Sequence, residues 1–123
     1  MNFTVNHKEK VAIVTSNILK LDGSLSKEFR NTLMMLNEEG VKNVVVELSK
    51  PEFLNEIGMH DLTFARNICH NSNGSFVLAS VNPKAMRLIN LLASEDDFII
   101  VTTVDEAVDL VYMEEQEREL GFL

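Results

Sequence analysis

The sequence predicts a single α/β domain, built from βα units in a mixed, mostly parallel sheet with about four helices packed against it. Three observations predict this. Short apolar or β-branched runs alternate with stripes at helical spacing. The connections between them are short, which favours right-handed βαβ crossovers. The length, 123 residues, is that of one domain, hiding roughly two-thirds of the unfolded surface. With 46% hydrophobic and 24% charged residues, the chain has a globular rather than a disordered balance.

Residues 10–15, Lys-Val-Ala-Ile-Val-Thr, read as a strand, with 3–6 as a short edge strand before it and 18–21 continuing the sheet. Leu25, Phe29, Leu33 and Leu36 recur at spacings of four, four and three, the stripe of an amphipathic helix. Ser24 suits its N-cap and Gly40 its stop. Residues 43–48 form a short buried strand. After a loop containing Pro51, a second helix spans 58–71 with Leu62, Ala65, Ile68 and Cys69 inward, and Asn73-Gly74 ends it. Residues 75–80 form the next strand. Asn82-Pro83, cap and first helical residue, opens a third helix that buries Met86, Ile89 and Leu92. Residues 98–102 are the last strand. Thr103-Val104-Asp105-Glu106 is a capping box for a fourth helix, with Val104, Ala107 or Val108, and Val111 along its stripe.

Charge excludes several partners. Of the net −8, six negative charges fall between Val104 and Leu120, where seven acids face one base, Arg118. Residues 113–123 are therefore read as an acidic extension with a solvated face or a frayed end. Nucleic acid needs a basic stripe and none exists; an anionic membrane is disfavoured for the same reason. No apolar run approaches the ~20 residues that cross a bilayer, and the N-terminal residues carry no signal-peptide pattern. A lone cysteine, Cys69, excludes an internal disulfide and a cysteine-based zinc cluster. The expected home is the cytoplasm.

Catalytic and cofactor signatures are absent. There is no glycine-rich phosphate loop, no nucleophile elbow and no His-Glu-x-x-His. His60 and His70 lie ten apart and do not share a helix face, so with Cys69 they make no metal site. Neither an enzyme nor a cofactor is expected. Ligands of α/β sheets engage the loops after parallel strands, and the most unusual of these is Ser49-Lys50-Pro51-Glu52-Phe53-Leu54-Asn55-Glu56-Ile57-Gly58. It feeds a helix whose first free N–H groups attract negative charge, a position suited to Glu56. Simple helix capping by Asn55 and Glu56 explains the same residues. Phe64, on a second stripe with His60 and Asn67, is expected to pack beneath a neighbouring helix.

The motifs occur in a defined order. Leu21-Asp22 precedes the first helix, Val44-Val45-Val46-Glu47-Leu48-Ser49 forms the central strand, and Phe53-Leu54-Asn55-Glu56-Ile57-Gly58 follows. Val81-Asn82-Pro83-Lys84-Ala85-Met86-Arg87-Leu88 and Thr103-Val104-Asp105-Glu106-Ala107 complete the series. Over about residues 8–112 this order resembles the STAS domain in its anti-sigma-factor-antagonist form. The resemblance implies a cytoplasmic protein-interaction module in a partner-switching system that regulates transcription. Its partner would be an anti-sigma factor that is also a serine kinase, or a related signalling protein.

In that family the kinase phosphorylates a serine in an aspartate-serine-x-glycine loop, and phosphorylation breaks the complex. The serine falls on Glu56 and the aspartate on Asn55, so the family's route to phosphate is closed here. The resemblance implies a partner surface of Asp22, Gly23, Ser24, Asn55, Glu56, Gly58, Met59 and His60. Leu19 stands where the family often has glycine. The rival readings are a small-ligand or nucleotide sensor on the same loops, where Glu56 and Asp22 would repel anions, and a scaffold subunit of a signalling complex. The sequence leaves homo-oligomerisation open.

Overall fold

The computed structural model describes residues 1–94 and 96–122. In chain order the elements are β1 (Phe3–Lys8), β2 (Val11–Ser16), β3 (Lys20–Leu21), α1 (Ser26–Glu38), β4 (Val44–Glu47), β5 (Phe53–Leu54), α2 (Glu56–Asn71), β6 (Phe76–Ala79), α3 (Pro83–Leu92), β7 (Ile99–Val101) and α4 (Val104–Glu119). Five strands form one sheet in the order β1-β2-β4-β6-β7. β1 is antiparallel to β2, and the other neighbours are parallel. The fold is the expected one, a mixed and mostly parallel sheet with four helices.

Strand alternation sorts the core into two layers. Ala12, Val14, Val44, Val46, Phe76 and Leu78 face α1, α2 and α3. The intervening Val11, Ile13, Val45, Val77 and Ala79 face α4 alone, meeting Ala107, Val108 and Val111. Both faces of the central strands are covered, so β4 and β6 read as continuous apolar runs instead of alternating ones.

Four expectations are corrected. Residues 18–21 do not extend the main sheet: Lys20–Leu21 pairs in parallel with Phe53–Leu54 as a separate two-stranded sheet, because the chain turns away from β2 to meet the loop after β4. Ser24 does not cap α1. Leu25 holds the N-cap position without a side-chain bond, and the Ser24 hydroxyl donates to Asp22 instead. α2 starts two residues early, at Glu56, because Asn55 supplies the cap. On α3 the buried residues are Ala85 and Ile89, one turn apart; Met86 is half-buried and Leu92 is 40% exposed.

The acidic end also behaves differently from a frayed tail. α4 continues to Glu119 and buries Glu115. The Glu115 carboxylate accepts from Asn43 Nδ2 at 3.0 Å and from Arg118 Nη2 at 2.7 Å, with Lys42 Nζ at 3.5 Å. Arg118 also donates to Ser75 Oγ, which donates to Glu114. These bonds tie the helix end to residues just ahead of β4 and β6. Elsewhere the caps are as the sequence predicts: Asn82 accepts from Lys84 N–H, Thr103 accepts from Glu106 N–H, and Gly40 takes φ +91 after α1.

Candidate functional site

The mouth of α2 is assembled from two loops that are distant in sequence. β3 and β5 lay residues 20–21 beside 53–54, so the chain leaving Leu21 and the chain leaving Leu54 emerge together. Asn55 then joins them. Its Oδ1 accepts from Gly58 N–H at 3.1 Å, closing the first turn of α2, while its Nδ2 donates to the Asp22 carbonyl at 3.3 Å. Its own N–H donates to the Leu21 carbonyl at 3.3 Å.

Glycine is required at Gly58 by this closeness. A Cβ there would collide with the Leu21 carbonyl oxygen, so any side chain would push the loops apart. Gly23 has φ +98 and lies against Ile57, whose Cγ2 would be 2.7 Å from an added Cβ. A left-handed φ and a close neighbour together call for glycine.

The loop around Asp22 is fastened by its own side chain. Asp22 Oδ1 accepts from Ser24 N–H at 3.1 Å and from Ser24 Oγ at 2.7 Å. These bonds, hydroxyl first and amide second, hold the Asp22 carboxyl below its ordinary 3.8. A permanent negative charge therefore stands at this loop near neutral pH. Glu56, the first residue of α2, is exposed, and no described residue hydrogen-bonds or ion-pairs its carboxylate. An acid in the first helical turn faces unpaired N–H groups. Asp22 and Glu56 thus put two carboxylates on one end of the domain.

The expected site residues are distributed unevenly over this end. Asp22, Gly23, Ser24, Asn55 and Glu56 lie on the two joined loops, with Ser24 and Glu56 exposed. Gly58 and Met59 are buried and shape the mouth from inside, whereas His60 is exposed one turn along α2 from Glu56. Sequence reasoning missed Phe53 and Ile57, 41% and 52% exposed beside these polar groups. It also missed Asp61. Only 4% exposed, Asp61 accepts from Ser26 Oγ at 2.6 Å and from Arg30 Nε at 2.8 Å. The Arg30 guanidinium lies 4.5 Å over the ring of half-buried Phe64, which thus meets α1 through this cation. The signal for Asp61 was its place beside the inward positions Leu62 and Ala65. Among the described residues no group of histidine, cysteine and acidic side chains is placed to hold a metal, and no helix is long and apolar enough to cross a membrane.

Fold and site together define a small α/β domain whose most elaborated surface is a pair of loops locked at the start of one helix. A model of the STAS domain matches residues 2–107. The chain belongs to the STAS domain family. No curated protein matches the sequence. Among solved structures, a protein assigned as an anti-sigma factor antagonist from Thermotoga maritima has 24% identity and a TM-score of 0.79, covering 89% of this chain and 94% of its own. A serine-to-glutamate variant of RsbS from Moorella thermoacetica has 14% identity and a TM-score of 0.76, covering 94% and 99%. The Bacillus cell fate determinant SpoIIAA in its phosphorylated form has 14% identity and a TM-score of 0.67, covering 89% and 98%. At these identities the likeness is one of fold.

Proposed function

We propose that this chain is a non-catalytic protein-interaction module in a partner-switching signalling system, with Glu56 standing where its relatives carry a phospho-acceptor serine. The observation that carries the proposal is the exposed Glu56 carboxylate at the first residue of α2, bonded by no described residue, on loops joined to Asp22 through Asn55. Glutamate gives one negative charge where phosphoserine gives about −1.5 to −2, and the helix start favours either. The loop is then held in a state electrostatically close to the phosphorylated one. Two fold relatives are consistent with this: SpoIIAA exists in a phosphorylated form, and an RsbS carrying glutamate in place of serine keeps the fold. The partner is an anti-sigma factor, a serine kinase or a related signalling protein that meets Asp22, Gly23, Ser24, Asn55, Glu56 and His60, with Gly58 and Met59 holding their shape.

The test presents wild type and Glu56→Ser to the anti-sigma-type serine kinases of the same genome with labelled ATP. Label is expected on the serine variant at position 56 and none on wild type between residues 53 and 60. Phosphate on a wild-type residue of that loop would refute the reading.

A further inference from the structure

We propose that the groove between α2 and the end of α3, bounded also by Asp97 and Phe98, seats a basic, amphipathic segment of the partner protein, an inference that rests on the interaction-module reading above. Met59 and Phe98, 5% and 8% exposed, form the floor of the groove. Leu92 and Ala93 form its far wall, and Glu56 and Asp97 stand on its rim. Its volume, about 440 Å³, is within the roughly 300–1,000 Å³ of ligand clefts.

Charge selects the chemistry of the occupant. Among the described residues no lysine or arginine lines the groove, and the ionisable ones that do, apart from His60, are the carboxylates of Glu56 and Asp97. The Arg66 guanidinium lies beside the groove, where Nη1 donates to the Asp97 carbonyl at 2.6 Å and the group sits 5.5 Å over the Phe98 ring, but among the described residues it ion-pairs with neither carboxylate. The Asp97 carboxylate accepts from Ser94 N–H at 2.8 Å, and Asp97 is part of the groove lining. A visitor carrying arginine or lysine pairs with this rim, whereas an acidic one is repelled by it and by a chain of net charge −8.

Exposure selects its size. Leu91 is 80% exposed and Leu92 40%, both at the C-terminal end of α3. These adjacent leucines extend the apolar floor of the groove with exposed apolar area that a partner can cover. A small ligand on the floor leaves Leu91 bare; a peptide running from Glu56 to the end of α3 covers both leucines.

A phage-displayed library of random twelve-residue peptides, selected on the full chain, tests this. Enriched peptides are expected to combine arginine or lysine with leucine, isoleucine, methionine or phenylalanine. Synthesised, they should shift the amide signals of Thr63, Leu91 and Leu92. Affinity should fall about tenfold or more in Leu92→Glu and, independently, in Asp97→Asn, the loss expected when an interface anchor goes, with amide spectra showing both variants folded. Acidic winners, failure to enrich any sequence, or binding undiminished in both variants overturns the groove. Peptides that shift Gly23, Ser24 and Ile57 and tolerate Leu92→Glu overturn it while leaving the loop surface intact; the phosphorylation assay judges that surface separately.

Discussion

Asn55 and Asp22 are 33 residues apart and joined by a single amide: Asn55 Nδ2 donates to the Asp22 carbonyl at 3.3 Å while Asn55 Oδ1 caps α2 through Gly58 N–H at 3.1 Å. One side chain therefore sets both where α2 begins and where the Asp22 loop stands beside it. Glu56 is displayed on that joint and does not help to build it.

Substitutions at the joint should separate these roles. Asn55→Ala removes cap and bridge, with an expected loss of about 1–2 kcal/mol in urea unfolding. Asn55→Asp keeps the cap acceptor but sets an anion against the Asp22 carbonyl, so the helix should persist while amide exchange in residues 22–24 quickens. Gly58→Ala should cost more than Asn55→Ala, since the new methyl meets backbone that has no room to yield. By contrast, Glu56→Ser should lie within about 1 kcal/mol of wild type, the scale of a first-turn charge on a helix.

Asp61 fastens α1 to α2. It is buried and bonded to Ser26 and Arg30, while the Arg30 side chain is 37% exposed. Solvent reaches one partner, so the pair is worth less than a fully buried one. Asp61→Ala is expected to cost about 1–3 kcal/mol, much of it from the Ser26 hydroxyl left unpaired. A double-mutant cycle with Arg30→Ala, read by chemical unfolding, should give a coupling below the sum of the two single losses.

The end of α4 should give the protein an acid-sensitive component of stability. Burial pushes the Glu115 carboxyl upward, but the hydrogen bonds from Asn43 and Arg118 and the charges of Arg118 and Lys42 outweigh it, and the net shift is below 4.5. A lowered folded value means that the stability it confers is complete above 4.5 and is lost as pH falls through the folded value. Glu115→Gln should therefore be less stable than wild type by about 1–3 kcal/mol at neutral pH. The gap should close as pH drops below 4.5. A gap independent of pH would show that the ionised carboxylate is not the source. Removing residues 113–123 should destabilise at least as much, because Asn43 and the Ser75 hydroxyl lose their α4 partners together.

Cys69 should be chemically silent in the folded protein. It is 1% exposed and burial raises its thiol to about 12, so almost no thiolate exists near neutral pH. A disulfide-forming colour reagent is expected to react only as fast as the protein unfolds, and at once in denaturant. Fast labelling under native conditions would mean that the packing between α2 and the sheet opens readily.

The parts of this protein legible in its sequence are those governed by near neighbours. Short continuous apolar runs at 11–16, 44–47 and 76–79 mark strands because both sheet faces are covered. Asn82 with Pro83, Thr103 with Glu106, and Gly40 mark helix ends because capping is settled within three or four residues. Glu56 was visible as an acid at a helix mouth for the same reason. Other features needed the folded chain. The pairing of Lys20–Leu21 with Phe53–Leu54, the ban on a side chain at Gly58, the burial of Asp61 and Glu115, and the groove beneath Leu92 all depend on partners more than thirty residues away. A polar residue on a helix looks solvated until another element delivers its counterpart. Glu115 follows Val111 by four on the inward stripe, yet Asn43, Arg118 and Lys42 make its burial tolerable, because a charge leaves water only where fixed donors replace what water supplied.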